Sequence, residues 1–196
     1  MIGASLLLEV FASNKFRRDI DRCVELTNNF GESVPQVFVD AVRLAEDHRN
    51  ELHPGIDIIA MMRALWVRIK FGQIQGASTI EQQFVRVVTN RREITIYRKV
   101  REQLLALMLV RRAHKRRIAS AYLSIAFYGS GSVGLDGLKN RFGVQLSKVP
   151  FPNALQMVAQ LKNPSPRKPG DAWRSKMADR IEALHSFGHG MLTKKI

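Results

Sequence analysis

The sequence predicts an all-α fold. Apolar residues recur at helical spacing in one segment after another, most clearly as Val34, Val37, Phe38, Ala41, Val42 and Ala45, which is the rhythm of one buried helix face. Hydrophobic residues make up 45% of the 196-residue chain, enough for a substantial core within one domain. The small number of prolines, 7 in all, agrees with long helices.

Residues 1–12 are apolar but short, lack a basic start and are interrupted by Glu9. A spanning helix needs roughly 20 apolar residues, and a signal peptide needs a charged leader and a longer apolar run. Neither is expected, so residues 1–32 are set apart as an N-terminal extension without a clear transmembrane helix, and the domain is placed at 33–190. The first helix is expected over 34–48, with Ser33 and Gln36 as its capping box. Glu46 follows the last stripe residue, at the edge of the buried face. Residues 56–71 form a second helix carrying Ile58, Ile59, Met62, Leu65, Trp66 and Ile69, decorated by Arg63, Arg68 and Lys70 and ended by Gly72. Ser78 and Glu81 read as another capping box, opening a helix through Thr89. Asn90-Arg91-Arg92 breaks the pattern, and helices follow over 95–112 and 115–127. The glycine-rich run 129–134 reads as a flexible loop. A helix over 153–162, a turn at Asn163-Pro164-Ser165-Pro166 and a last helix from Asp171 to Phe187 complete the chain.

The formal charge of +14 implies an anionic partner: nucleic acid, an acidic lipid surface or a phosphorylated substrate. Much of it is concentrated between Arg86 and Arg117, where eleven Lys or Arg face two acids, Glu93 and Glu102. One cysteine, Cys23, excludes an internal disulfide. His53 has no Cys/His cluster near it in sequence, so a structural role is expected and no metal ligand is assigned.

Three motifs stand out. Glu46-Asp47 is followed by His53, Gly55 and Asp57; Gly76-Ala77-Ser78-Thr79-Ile80-Glu81-Gln82-Gln83 crowds hydroxyls and amides onto a helix start; Arg98-Lys99-Val100-Arg101-Glu102 gathers cations about one carboxylate. In this order the three resemble the peptidoglycan glycosyltransferases of glycosyltransferase family 51. Lys115, Ile118, Tyr122 and Leu123, then Phe127-Tyr128-Gly129 and Arg141-Phe142-Gly143, continue the resemblance over residues 33–180. A final family motif, an arginine before a Val-Leu pair, is faintly visible at Arg174. The sequence departs from the family at Asn50, where a Phe is usual, and at Ser120 and Ser124, which replace Glu and Asn.

The resemblance implies a lysozyme-like glycosyltransferase domain with a globular lobe and a smaller apolar jaw. The helix from Ile58 reads equally as a core helix or as that membrane-facing jaw. The implied activity is polymerisation of lipid II into glycan strands with release of undecaprenyl diphosphate. Glu46 would be the base and Glu102 would assist departure of the diphosphate. Asp47, Ser78, Thr79, Gln82, Gln83, Arg98, Lys99, Arg101 and Lys115 would bind substrate. No cofactor is obligatory, with a divalent cation (Mg or Mn) the one candidate assistant. The implied partners are lipid II, the growing glycan strand, an anionic membrane surface and other cell-wall synthesis proteins, but not nucleic acid. The implied location is peripheral, at a bacterial inner membrane, with no legible anchor where the family usually has one. Three rivals stand beside this reading. A glycan-cleaving relative would have no need of a cation clamp, and a nucleic-acid binder would explain none of the motifs. A silent relative that binds lipid-linked precursor would be favoured by the departures at Asn50, Ser120 and Ser124, which are expected to loosen the cleft.

Overall fold

The computed structural model describes residues 14–73, 75–91 and 93–193, with side chains to residue 188. In chain order it contains α1 (Asn14–Phe30), α2 (Gln36–Glu46), a 3₁₀ turn (Asn50–Leu52), α3 (Ile58–Phe71), α4 (Ile80–Thr89), α5 (Ile96–Val110) and α6 (Lys115–Ile125). There follow strands β1 (Phe127–Gly129) and β2 (Ser132–Val133), α7 (Gly134–Phe142), a second 3₁₀ turn (Leu146–Lys148), α8 (Phe151–Ala159) and α9 (Asp171–Thr193). The all-α class holds, since the sheet is a single hairpin.

The core lies where α4 and α6 meet, walled by α1, α2, α5 and α8. Phe38, Val42, Phe84, Leu105, Leu109, Ile118 and Leu123 are its fully buried centre. Two helices escaped the sequence reading. One is α1, inside the segment set apart as an extension: Phe16, Ile20, Cys23 and Thr27 are buried against the core, so the packed unit takes in this helix. The other is α7, which buries only Gly134, Gly137 and Leu138 and so carries a weak apolar stripe. The apolar stretch 1–12 lies outside the described residues. Among the described residues no helix is long and apolar enough to cross a membrane.

Helix starts depend on local hydrogen bonds, and several differ from expectation. α2 begins after Pro35 with no side-chain cap; Gln36 instead donates to Asp40 on its own helix and accepts from Arg116. α4 is capped by Thr79, whose hydroxyl accepts from the Gln82 N–H, so Ser78 lies before the helix with its side chain free for other work. Asp57 caps α3, Thr95 caps α5, and Gly72 ends α3 in the left-handed conformation.

The run 129–134 is an ordered hairpin. Gly129 pairs with Ser165, and a Cβ on it would lie 2.5 Å from the Ser165 carbonyl oxygen. Close approach of two backbones, rather than flexibility, is what glycine serves there.

α3 is the exception to the packing. It buries Ala60 and Val67 alone, while Ile58, Ile59, Met62, Leu65, Trp66 (55% exposed), Ile69 (77%) and Phe71 face solvent. Of the two readings of this helix, the core helix is excluded. α3 is the apolar jaw.

Candidate functional site

Glu46 ends α2, where the apolar stripe has carried it to the edge of the core. Its carboxylate meets Arg180 of α9 at 2.5 Å and accepts from the Gln83 amide at 3.2 Å. Burial pushes its pKa above the ordinary carboxylate value, with Arg180 and the Gln83 bond pulling the other way. A carboxylate more basic than usual, yet held ionised by one arginine, is suited to taking a proton. It borders a narrow hollow of about 30 Å³ shared with Asp47, Arg63, Gly76, Ala77 and Ser78.

On the next helices sits the second centre. Glu102 of α5 accepts from Arg98 at 2.6 Å, from Lys99 at 3.0 Å, and from Arg86 through two bonds of 2.9 and 3.0 Å. Burial alone would raise its pKa; the Arg86 bonds and the Lys99 and Arg86 charges outweigh it, and the carboxyl lies below its ordinary value. Lys99 also donates to Ser78 (3.1 Å) and Gln82 (2.7 Å), and burial depresses its pKa. Three cations thus converge on one carboxylate, with the Ser78 hydroxyl and the Gln82 amide oxygen bound to Lys99 beside it, an arrangement able to receive a di-anionic oxygen group.

α4 joins the two centres. Gln83 reaches Glu46 while accepting from Tyr122 at 2.8 Å. Its neighbour Gln82 reaches Lys99, leaving its own buried amide nitrogen without a protein partner.

The structure reassigns several expected ligands. Arg101 is 2% exposed and turned away from the clamp, paired with Asp19 of α1 at 2.7 Å and stacked 5.4 Å from the Phe16 ring centre. The reason is helical geometry: Arg101 lies roughly 160° around α5 from Lys99. Arg86 takes its place, and the four-residue spacing from Gln82 to Arg86 is the signal that would have found it. Arg174, where the last family motif is faintly visible, is exposed and among the described residues has one ion pair, with Asp171 at 4.0 Å, whereas Arg180 reaches Glu46. Arg180 falls on the stripe formed with Met177 and Leu184, both buried, and a cation on a buried face is the sequence signal for it.

Asp47, Thr79 and Lys115 spend their hydrogen bonds on the scaffold. The buried Asp47 carboxylate accepts from His53, from Asn50 and from the Ile80 N–H. Thr79 donates to the Gly55 carbonyl. Lys115 donates to the Asn50 carbonyl and pairs with buried Glu81 at 3.3 Å. His53 has the expected structural role: its Nδ1 accepts from the Gly55 N–H, so Nε2 carries the proton given to Asp47. Asn50, where an aromatic was expected, is buried and donates to both Glu81 (2.9 Å) and Asp47 (3.2 Å). Polar bridging replaces the apolar wedge, and the loop is held. Ser120 is also buried and satisfied, accepting from the Val34 N–H and donating to the Phe30 carbonyl. It ties α6 to the α1–α2 corner and faces away from the cleft, so the loosening expected of it does not follow. Ser124 bonds back to the Ser120 carbonyl.

A divalent cation does not fit either carboxylate group as arranged. Glu102 is already ringed by three cations, and where the Asp47, His53 and Glu81 donors approach one another the Lys115 ammonium already pairs with Glu81 Oε1 and Asn50 donates to Asp47 and Glu81, with Glu81 Oε2 left without a partner among the described residues.

The profile of the family described as transglycosylase matches residues 22–186. Similar proteins include penicillin-binding protein 1B of Haemophilus influenzae, 33% identical over 74% of this chain and 19% of its own length. Penicillin-binding protein 1B of Vibrio cholerae is 34% identical over 68% and 18%. Penicillin-binding protein 1A of Rickettsia felis is 29% identical over 83% and 21%. The chain spans about a fifth of the length of the curated relatives it matches.

Proposed function

The chain belongs to the transglycosylase family, and from that premise we propose that it is an inverting peptidoglycan glycosyltransferase acting on lipid II. The observation that carries the reading is the pair of centres joined by α4: a carboxylate made basic by burial, and a three-cation clamp. Glu46 takes the proton of the acceptor sugar hydroxyl as that oxygen attacks the anomeric carbon of the growing chain. The bond from this carbon to the diphosphate breaks in the same displacement, with its electron pair leaving on the diphosphate. Arg86, Arg98 and Lys99 meet the developing charge in a partly desolvated site, where fixed cations count for more than in water. Glu102 holds the three in register.

Arg63, on the jaw side of the hollow, is placed to face an acidic part of the substrate. The exposed apolar face of α3, with Arg63, Arg68 and Lys70 beside Trp66, suits the interface of an anionic membrane, where the lipid tail of the precursor would lie. Association with further cell-wall synthesis proteins belongs to the same proposal.

The experiment is polymerisation of labelled lipid-linked precursor by the purified chain and by Glu46→Gln. The variant keeps shape and loses proton affinity, so turnover should fall by about 10²–10⁴ with precursor binding little changed. Wild-type polymerisation by Glu46→Gln would remove the central assignment. Precursor binding without turnover by the wild type would instead establish a silent relative.

A further inference from the structure

Away from the cleft, the structure holds a second concentration of cations. A cavity of about 450 Å³ opens where α2, the Asn50–Leu52 turn and the α5–α6 connection meet, and Arg43, Glu51, Arg111, Arg112, Lys115 and Arg116 line it. Five cations surround one carboxylate; Lys115 is already held by the Asn50 carbonyl and Glu81, and for the four arginines the available counter-charge is thin. Arg43 pairs with Glu51 at 2.6 Å, but its Nε is buried with no partner. Arg112 approaches Asp21 only at 3.5 Å, both largely in solvent. Arg116 donates to the neutral Gln36. Arg111 has no ion pair among the described residues.

The first turn of α6 ends at the same cavity, and its cap residue His114 supplies no side-chain acceptor. Such a gathering costs self-repulsion unless an anion enters it. We propose that this cavity is a phosphate-binding site distinct from the catalytic clamp.

The chemistry favours a phosphate group. Arginine forks match oxyanions in two-point contact, and several of them in one concavity suit an anion with more than one charged or bridging oxygen. The site is separate from the clamp by geometry. Lys99 lies near the start of α5 and Arg111 caps its end, twelve residues apart, which is about 18 Å along the helix axis.

Two sources share this chemistry. Leu52, exposed at the rim beside Glu51, leads along the loop towards the apolar face of α3, which would place an acidic phospholipid headgroup within reach. A soluble phosphate or diphosphate is the other. The inference stands whether or not Glu46 is the base.

The test compares the full chain with Arg111→Gln/Arg116→Gln and with a control of equal charge loss, Arg167→Gln/Lys168→Gln, on exposed residues elsewhere. The probes are inorganic diphosphate, followed by calorimetry, and vesicles of phosphatidylglycerol in phosphatidylcholine, followed by sedimentation. The pocket variant should bind diphosphate at least about tenfold more weakly, and the same difference should persist in a Lys99→Gln background, where the clamp is impaired. A parallel loss on vesicles identifies a lipid headgroup as the source; loss on diphosphate alone identifies a soluble anion. Unchanged diphosphate binding, or an equal loss in the control, overturns the proposal. Failure of polymerisation would leave this binding result untouched, so the two readings fail separately.

Discussion

Replacing Arg180 by glutamine should shift the acid limb of the pH–rate profile upward. The wild-type pair is 2.5 Å long, with the two side chains 15% and 13% exposed. Burial already raises the Glu46 pKa, and Arg180 is the largest influence pulling it back down. Removing that charge lets the carboxyl rise further. The base works only when ionised, so the rate is lost at a higher pH as the solution is acidified. A cation within about 4–6 Å lowers a carboxyl by about 1–3 units. The Gln83 bond stays in place and some solvent reaches the pair, so a shift of about 1–2 units is expected. The assay is the initial rate of precursor polymerisation across the acid to neutral range, with Arg180→Lys as a charge-retaining control that should return the limb close to its original position. A limb that stays put or moves down refutes the electrostatic argument. A large loss at every pH without a limb shift would place Arg180 on the substrate rather than behind the base.

The remaining predictions separate groups that share one motif. Lys99→Gln should lower kcat by about 10-fold or more while leaving thermal stability nearly unchanged. Arg101→Gln should do the reverse, destabilising the fold by about 3 kcal/mol through the orphaned Asp19, with the folded fraction keeping its kcat; thermal melts beside initial rates distinguish them. Ser120→Glu should destabilise by at least about 3 kcal/mol, since it inserts a charge into a fully buried site and breaks the bonds to Val34 and Phe30; a raised melting temperature would contradict this account. On anionic vesicles, Trp66→Ala/Ile69→Ser should weaken sedimentation and high salt should release much of the wild type, while indifference to both would mean another mode of attachment.

The helices visible in the sequence were those with a strong apolar stripe, such as α2 and α4. α1 was missed because its buried face, Phe16, Ile20, Cys23 and Thr27, ends in a cysteine and a threonine rather than large apolar residues and stands among ten polar or charged neighbours. That face becomes legible only when α5 and α6 are brought against it. The opposite failure affected α3, where apolar residues spread around the helix left its burial undecided. Periodicity reports that a face is apolar, not what covers it. Capping showed a similar limit. The Ser-x-x-Glu pattern at residues 78–81 competed with Thr-x-x-Gln one residue on, and the second won because Thr79 also donates to Gly55 across the loop.

The site was legible as motifs but not as geometry, and α4 shows why. Its consecutive residues were read together as cleft lining, although a helix turns about 100° between neighbours. Thr79 and Glu81 therefore go into the scaffold, where Glu81 meets Asn50 and Lys115. Gln83 turns to the base, and Gln82 and Arg86 turn to the clamp. The same division explains how the departures are tolerated. Asn50 in place of an aromatic finds a carboxylate at position 81, so the two substitute a hydrogen-bonded bridge for an apolar contact. Asn50→Phe alone would therefore strand the buried Glu81 with Lys115 as its one partner. The chain's own consistency, rather than agreement with a family pattern at each position, is what keeps Glu46 next to Gln83 and Lys99 next to Glu102.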